Sequence, residues 1–289
     1  MPANIFQCTA LTTLASITMA GGCVSIGGCQ DMKYSAAKQE SLVAPAESSF
    51  RLTNTVGDIT VVADPSATQV TCRIDRVGKG TTQAKAEQAL SEISIVLDDS
   101  PGDSGVTLAA KHPSGGGMSG RQWEVRWTIT APPGTRIIVA GEVGDVRVRG
   151  FTAGAHVSTD VGDVDVADVS GGVKVTTDVG DITIAAGGPI EATGNVGDVT
   201  LSAAPGEASP IKVTTDVGDV TVRLPASWGG SARATADVGS VDSDFPGVSG
   251  PKASGSGRSI SGRIGNGAEG PELVVQTDVG DIHLARMGG

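Results

Sequence analysis

The chain has 289 residues, 42 of them glycine, against four phenylalanines, three tryptophans and a single tyrosine. That composition disfavours an aromatic-cored globule and suits thin stacked strands filled by aliphatic side chains. A net charge of −11 excludes nucleic acid, which demands a basic surface, and peripheral binding to anionic lipid.

Residues 1–29 read as an export signal. Cys8 to Ala20 is weakly apolar and uncharged, and no lysine or arginine precedes Lys33, so the signal lacks the usual positive n-region. Ala20-Gly-Gly-Cys23 and Ile26-Gly-Gly-Cys29 both resemble the lipobox of bacterial lipoproteins, whose cysteine is acylated after cleavage. Cys29 or Cys23 is the expected lipidation site, and Ile26 suits the pattern better than Ala20 does. The run from Ile5 to Ile26 is broken by Gln7, threonines and two glycines, Gly21 and Gly22, which makes it a poor membrane span. Residues 30–48 are small, polar and aperiodic, and read as a linker between anchor and fold.

Residues 49–139 read as an N-terminal β region. Phe50-Arg-Leu52 opens it, and Val56-Gly-Asp-Ile-Thr-Val61 is an early copy of a phrase that returns later. In Gln69 to Ile74, Cys72 alternates with Val70 and Ile74, so it points to the apolar side as a small hydrophobe. Between 81 and 93, Ala86, Ala89, Leu90 and Ile93 fall at helical spacing behind Thr81 or Thr82 as a cap. This predicts one helix packed across the first rungs or covering an open end. Short strands follow at Ser94 to Leu97 and Val106 to Ala110. Gly115-Gly-Gly-Met-Ser-Gly120 satisfies the dinucleotide pattern by letter only, because no βαβ unit surrounds it. Trp123, Val125, Trp127 and Ile129 then share one strand face; core packing explains two tryptophans there better than a sugar-stacking platform does. Ala131-Pro-Pro-Gly134 turns the chain into Arg136-Ile-Ile-Val139.

From 140 to 289 the phrase Val-Gly-Asp followed by alternating aliphatics recurs. The residues after glycine are Asp145, Asp163, Asp181, Asp198, Asp219, Ser240 and Asp281, at steps of 18, 18, 17, 21, 21 and 41. Val173, Val175, Thr177 and Val179 keep one parity, and Ile182 and Ile184 resume it after a slip at Gly180. Period two means strand, and the slip marks a glycine corner. Each unit is too thin to bury its own inner face and must stack on the next. Stacking in chain order gives inner columns through Val164 and Ile182, through Val166 and Ile184, and through Val161 and Val179. Outward columns run through Arg147, Asp165 and Thr183, and through His156, Lys174, Glu191 and Lys212, whose alternating signs attract across the ladder. The expected fold is all-β, a parallel β-solenoid, right-handed by the crossover rule, with one short N-terminal capping helix. A left-handed hexapeptide helix fails because stepping by six from Val164 meets Ser170 and Thr176. A Gly/Ser-rich insertion near 243–272 interrupts the repeats, either as an excursion or as an extra hairpin around Ser259 to Ile264, and Leu273 to Leu284 closes the solenoid.

The Gly-Asp-aliphatic-x-aliphatic phrases, the Ala131-Pro-Pro-Gly134 turn and the glycine-rich break before Thr277-Asp-Val-Gly-Asp-Ile-His-Leu284 resemble the bacterial putative adhesin family, over roughly Phe50 to Leu284. The resemblance implies an extracytoplasmic β-solenoid in a cell-envelope setting and brings no catalytic residues with it.

Chemistry, if any, belongs to the stacked acids. Carboxylates at rung spacing repel, and a hard cation such as Ca²⁺ would relieve them, with Asp163, Asp181, Asp198 and Asp178 as candidate ligands. Against this, an aspartate beside a glycine corner commonly accepts hydrogen bonds from the turn's own backbone, and neither a nonapeptide calcium repeat nor an EF-hand loop is present. An enzyme reading, a polysaccharide-acting β-helix, would use Asp163, Asp165 and Asp181, with Arg147 offering Asp165 a salt bridge. His112, His156 and His283 fall on unrelated columns. The sequence thus supports a non-enzymatic, lipid-anchored, extracytoplasmic or cell-surface protein without cofactor. Its solenoid faces would meet an envelope or surface ligand, protein or glycan.

Overall fold

Burial alternates residue by residue along almost every strand of the chain, and that alternation organises both of its parts. The structure, a computed structural model, describes residues 11–13, 33–46, 48–98, 106–111, 121–204, 209–249, 257–265 and 270–287. The chain divides at Pro132–Pro133 into two compact units. The strand that opens at Arg136 therefore belongs with the repeats and not with an N-terminal region reaching 139.

The first unit contains β1 (Leu11–Thr13), β2 (Tyr34–Pro45), β3 (Ser49–Val56), β4 (Ile59–Ala63), β5 (Gln69–Gly80), α1 (Gln83–Glu92), β6 (Ser94–Asp98), β7 (Val106–Lys111) and β8 (Arg121–Ala131). The expected linker at 30–48 is corrected here. Tyr34 to Pro45 is a strand paired antiparallel with β5 along its whole length. Its side chains are too polar to show alternation, but its backbone completes the edge of β5. Strand β8 pairs antiparallel with β5 and parallel with β4.

Helix α1 begins at Thr82, whose Oγ1 accepts the N–H of Lys85 at 3.3 Å. It lies against β5 because that strand ends in glycines: a Cβ on Gly78 would stand 2.3 Å from the Ala86 carbonyl oxygen. Ala86 and Ala89 are fully buried at that contact. At the far end of the helix the Arg76 guanidinium donates to the Ile93 carbonyl. Cys72 is buried beside Ile74, and burial pushes its thiol pKa up to about 12. The tryptophan pair divides: Trp127 is in the core, whereas Trp123 is half-buried.

The second unit is the repeat. Its paired strands are β9 (Arg136–Val143) and β10 (Val146–Arg149), β11 (Ala155–Val161) and β12 (Val164–Val169), β13 (Val173–Val179) and β14 (Ile182–Ala186), and β15 (Ile190–Val196) and β16 (Val199–Ala203). They continue with β17 (Ile211–Val217) and β18 (Val220–Leu224), and β19 (Gly230–Val238) and β20 (Val241–Ser243). After β21 (Val248–Ser249) and β22 (Arg258–Ile264), the chain ends in β23 (Glu272–Val279) and β24 (Ile282–Arg286). Odd-numbered members from β9 to β17 stack in one parallel sheet and their partners in a second. Val146, Val164, Ile182, Val199, Val220 and Ile282 fill one buried column, in register. This is the parallel β-solenoid that the eighteen-residue steps predict.

Two features differ from the sequence expectation. First, the last rungs do not stack in chain order. Strands β23 and β24 insert between β17–β18 and β19–β20, so the C-terminal phrase is a penultimate rung and the Val238–Gly239–Ser240 phrase is the end. The insertion at 243–272 supplies the cover for that end. Strand β22 runs antiparallel along the free edge of β19, and β21 pairs with β22. An open edge is thereby replaced by a strand carrying Arg258 and Arg263.

Second, the column through Val161 and Val179 is not internal. Val143, Val161, Val179, Val196, Val217, Val279 and Val238, in spatial order, are 46–52% exposed. Pairing passes from Thr159–Thr177 directly to Val161–Val179, so the parity slip falls at Asp160 and Asp178, ahead of the glycine. Thr159, Thr177, Thr215 and Thr277 fill the inside of the corner, and the valine two residues on is turned outward at its apex.

Candidate binding faces of the solenoid

Corner geometry begins with glycine. Gly180 has φ +146°, and a Cβ there would lie 2.1 Å from the carbonyl oxygen of Gly162 on the rung below. Glycine rests directly on glycine at each such corner, and any side chain would force the rungs apart.

The backbone ladder continues around this bend with one substitution. Gly180 N–H donates to the Val196 carbonyl, and Ile182 N–H to the Asp198 carbonyl, each at 2.9 Å. Between them the peptide has rotated, and the N–H of each aspartate is met by a side chain. Asp163 N–H donates to Asp145 Oδ1 at 3.2 Å, Asp181 to Asp163 at 2.9 Å, Asp198 to Asp181 at 2.9 Å and Asp219 to Asp198 at 2.8 Å. The series ends with Asp281 N–H on Asp219 Oδ1 and Ser240 N–H on Asp281 Oδ1, both at 2.7 Å.

The acids thus cap the neighbouring rung and not their own turn. This also explains the exception in the column: Ser240 stands on the terminal rung, where no further Asp N–H of the series awaits an acceptor. The N–H and hydroxyl of Ser240 hold the Asp281 carboxyl below its ordinary range.

Of the sequence-predicted calcium candidates, Asp163, Asp181 and Asp198 lie in this capping column. Asp178 lies in the exposed column three residues earlier, where it accepts from Asn195 Nδ2 at 3.1 Å. Among the described residues no group of three or more His, Cys, Asp or Glu is placed to hold a metal ion. The enzyme reading's Asp165 stands in register with Arg147, but the Arg147 guanidinium turns to Asp145, 3.2 Å away. His283 faces Asp244 across the second sheet, and His156 lies in the first; His112 lies outside the described residues. So do Cys23 and Cys29, the expected lipidation sites, and the Gly115–Gly120 loop. No helix among the described residues is long and apolar enough to cross a membrane.

Two surfaces remain. One is an open groove of about 500 Å³ at the start of the first-sheet strands, floored by Gly171, Gly172 and Pro189, with Lys174, Glu191 and Lys212 on its rim. Lys174 and Glu191 pair at 3.0 Å across adjacent rungs, as their alternation predicts, and the pair is exposed and contributes little. The other is the valine ridge. Sequence reasoning missed its exposure because period two, continued through the bend, assigns those valines to the interior. The signal was the residue before each of them, an aspartate or asparagine in six of the seven phrases and Glu142 in the first, since such side chains favour turns over ladders.

The architecture defines a class, a two-sheet parallel β-solenoid in which a Val-Gly-Asp corner joins the two strands of each rung and an antiparallel strand seals one end. The family profile described as Toastrack DUF4097 matches residues 93–285, about two thirds of the chain, and the chain belongs to that family. No curated protein matches it. Among solved structures it is similar to a putative cell adhesion protein from Clostridium sporogenes, at 14% identity and TM-score 0.39, covering 87% of this chain and 100% of that one. It is also similar to a putative adhesin from Bacteroides fragilis, at 15% identity and TM-score 0.41, covering 86% and 97%. A putative adhesin from Parabacteroides distasonis aligns at 10% identity and TM-score 0.30, over 86% and 97%. The assignment rests on the family match.

Proposed function

We propose that this is a non-enzymatic protein of the cell envelope, held outside the cytoplasm by an acyl chain on Cys29 or Cys23, whose solenoid offers a binding or structural surface to an envelope or surface ligand. One observation carries the reading. Two of the three acids that a polysaccharide-acting β-helix would use, Asp163 and Asp181, are engaged in architecture, since Asp145, Asp163, Asp181, Asp198 and Asp219 each cap the next rung's N–H. A row of carboxylates at rung spacing along a straight edge does not converge on one bond, whereas glycoside hydrolysis needs two carboxyls flanking it.

The test is a panel of envelope and plant polysaccharides incubated with native protein and with the Asp163→Asn/Asp181→Asn double variant, read by release of reducing ends. No release is expected from either, with the variant still folded because asparagine keeps the Oδ1 acceptor. Release by the native protein that the double variant lacks would sink the proposal. Location is read separately: mass spectrometry of the mature N-terminus should find an acylated Cys29 or Cys23, and an unmodified cytoplasmic chain would remove the envelope assignment.

A further inference from the structure

We propose that the ridge of corner valines is a docking surface for a basic amphipathic helix of a partner protein. The proposal rests on the reading of the solenoid as a binding surface and assigns that surface its partner chemistry.

The choice of side chain is the first argument. Valine and threonine have nearly the same shape and the same preference for strands. On one outer face of the repeat the stacked β-branched residues are threonines, Thr183, Thr200 and Thr221, although the first unit does expose single strand valines at Val43 and Val62. At the apex of the corner all seven phrases have valine, 46–52% exposed. A hydroxyl on the exposed half would be solvated, so strand preference alone does not account for the methyl.

Continuity is the second. The valines stack on successive rungs, so at a strand spacing of ~4.8 Å they form a ridge about 29 Å long. Beside it runs the column of corner glycines, which adds no side chain that would stand in a partner's way. Unbroken apolar stripes of this kind mark contact surfaces.

Charge selects the occupant. Asp160, Asp178 and Asp216 border the ridge on one side and Asp163, Asp181 and Asp219 on the other, and all are exposed. A second copy of the same ridge or an anionic bilayer would be repelled, and the ridge has no aromatic face for a sugar. Lysines or arginines on both flanks of an apolar row complement it.

Period then separates helix from strand. An α-helix presents its stripe once per ~5.4 Å turn and slips less than one rung over the ridge; a strand repeats its face every ~6.7 Å and loses register at about the third rung. A helix of about 19 residues spans the ridge at ~1.5 Å per residue.

A fluorescein-labelled 19-residue peptide of leucine and lysine, with leucines at i, i+3, i+4 and i+7 spacing, provides the probe. A scrambled peptide of equal composition is the control, and both are titrated by anisotropy. The ordered peptide should bind at least tenfold tighter than the scrambled one, and the Val179→Thr/Val196→Thr/Val217→Thr variant should lose that difference with an unchanged melting temperature. Lys174→Ala, in the groove, should bind as native. Equal binding of the two peptides, or native affinity in the triple variant, overturns the proposal, as do ridge-dependent dimerisation by sedimentation and ridge-dependent adsorption to anionic vesicles. If the triple variant fails to fold, Val196→Thr alone should weaken binding about threefold, and an unchanged affinity there also overturns it. Polysaccharide cleavage would remove the underlying reading and leave the peptide result standing, so the two failures are distinct.

Discussion

At the level of single residues, the corner aspartate is a backbone group supplied by a side chain. Its Oδ1 stands where a carbonyl would stand if the peptide had not turned, which is why Asp recurs with so little variation beside a glycine that tolerates no Cβ. The required property is an acceptor at that position and not a negative charge, and two substitutions at one site separate the two. Asp181→Asn keeps the acceptor for the Asp198 N–H and removes a like charge from the column, so its stability should lie within about 0.5 kcal/mol of native. Asp181→Ala leaves that N–H to water and should cost roughly 0.5–1.5 kcal/mol. Both are measured by urea unfolding. A loss in Asn as large as that in Ala would mean that the charge itself is used, as a bound cation would use it. In that case the native melting temperature should also fall on adding chelator, and otherwise it should not change.

Among the elements, the terminal rung is held by a tie whose strength should depend on pH. Strand β20 has three residues, and its corner is tied back through Ser240 N–H to Asp281 Oδ1. The Asp281 carboxyl titrates below its ordinary value because Ser240 donates to its charged form, with a smaller contribution from Arg258. The sign follows: a carboxyl whose folded pKa is depressed adds stability that is fully present above its unfolded value, near 3.9. That stability is lost as pH falls from there through the folded pKa. Protection of the Ser240 amide, corrected for its intrinsic exchange rate, should therefore fall as pH drops below about 4, and Asp281→Asn should abolish that acid sensitivity.

The elements also divide cleanly by legibility. Strands with a wet and a dry face, such as β13 with its Val173, Val175 and Thr177, were readable from alternation, and so was the helix behind Thr82. Strand β2 was not, because a polar edge strand announces itself only through its partner's backbone. The exposed valines were not, because a bend that consumes one residue resets the parity without changing residue type. Nor was the order of the final rungs: Val220 fits equally well against Val241 or Ile282, and a repeat that makes rungs interchangeable leaves their order to the connecting segments.

Across the repeat unit as a whole, that order changes what the end of the chain does. In a solenoid stacked in sequence, the last phrase is a terminal layer, and removing it costs one nearest-neighbour interface. Here β23 and β24 are flanked on both sides, by β17–β18 and by β19–β20. Without them the rung of β19 and β20, with the β22 strand that seals it, has no parallel partner to rest on. The phrase that follows β19 and β20 in sequence is thus an internal layer, and the rung of β19 and β20 cannot take its native place until that phrase has been inserted. Long-range pairing of this kind is slow because the closure entropy precedes the contacts that reward it. Truncation before Glu272 should therefore expose the edges of β17 and β18 and leave the end rung unpaired. The expected result is a chain that aggregates or melts at least about 10 °C below native, more than a single lost ~1–2 kcal/mol interface would shift a domain of this size. Truncation after Arg286 should melt as native. Scanning calorimetry of the two, with sedimentation to score aggregation, decides it: equal melting temperatures would mean that β19 and β20 can pair with β17 and β18 directly, and that the rungs are interchangeable in fact as well as in sequence.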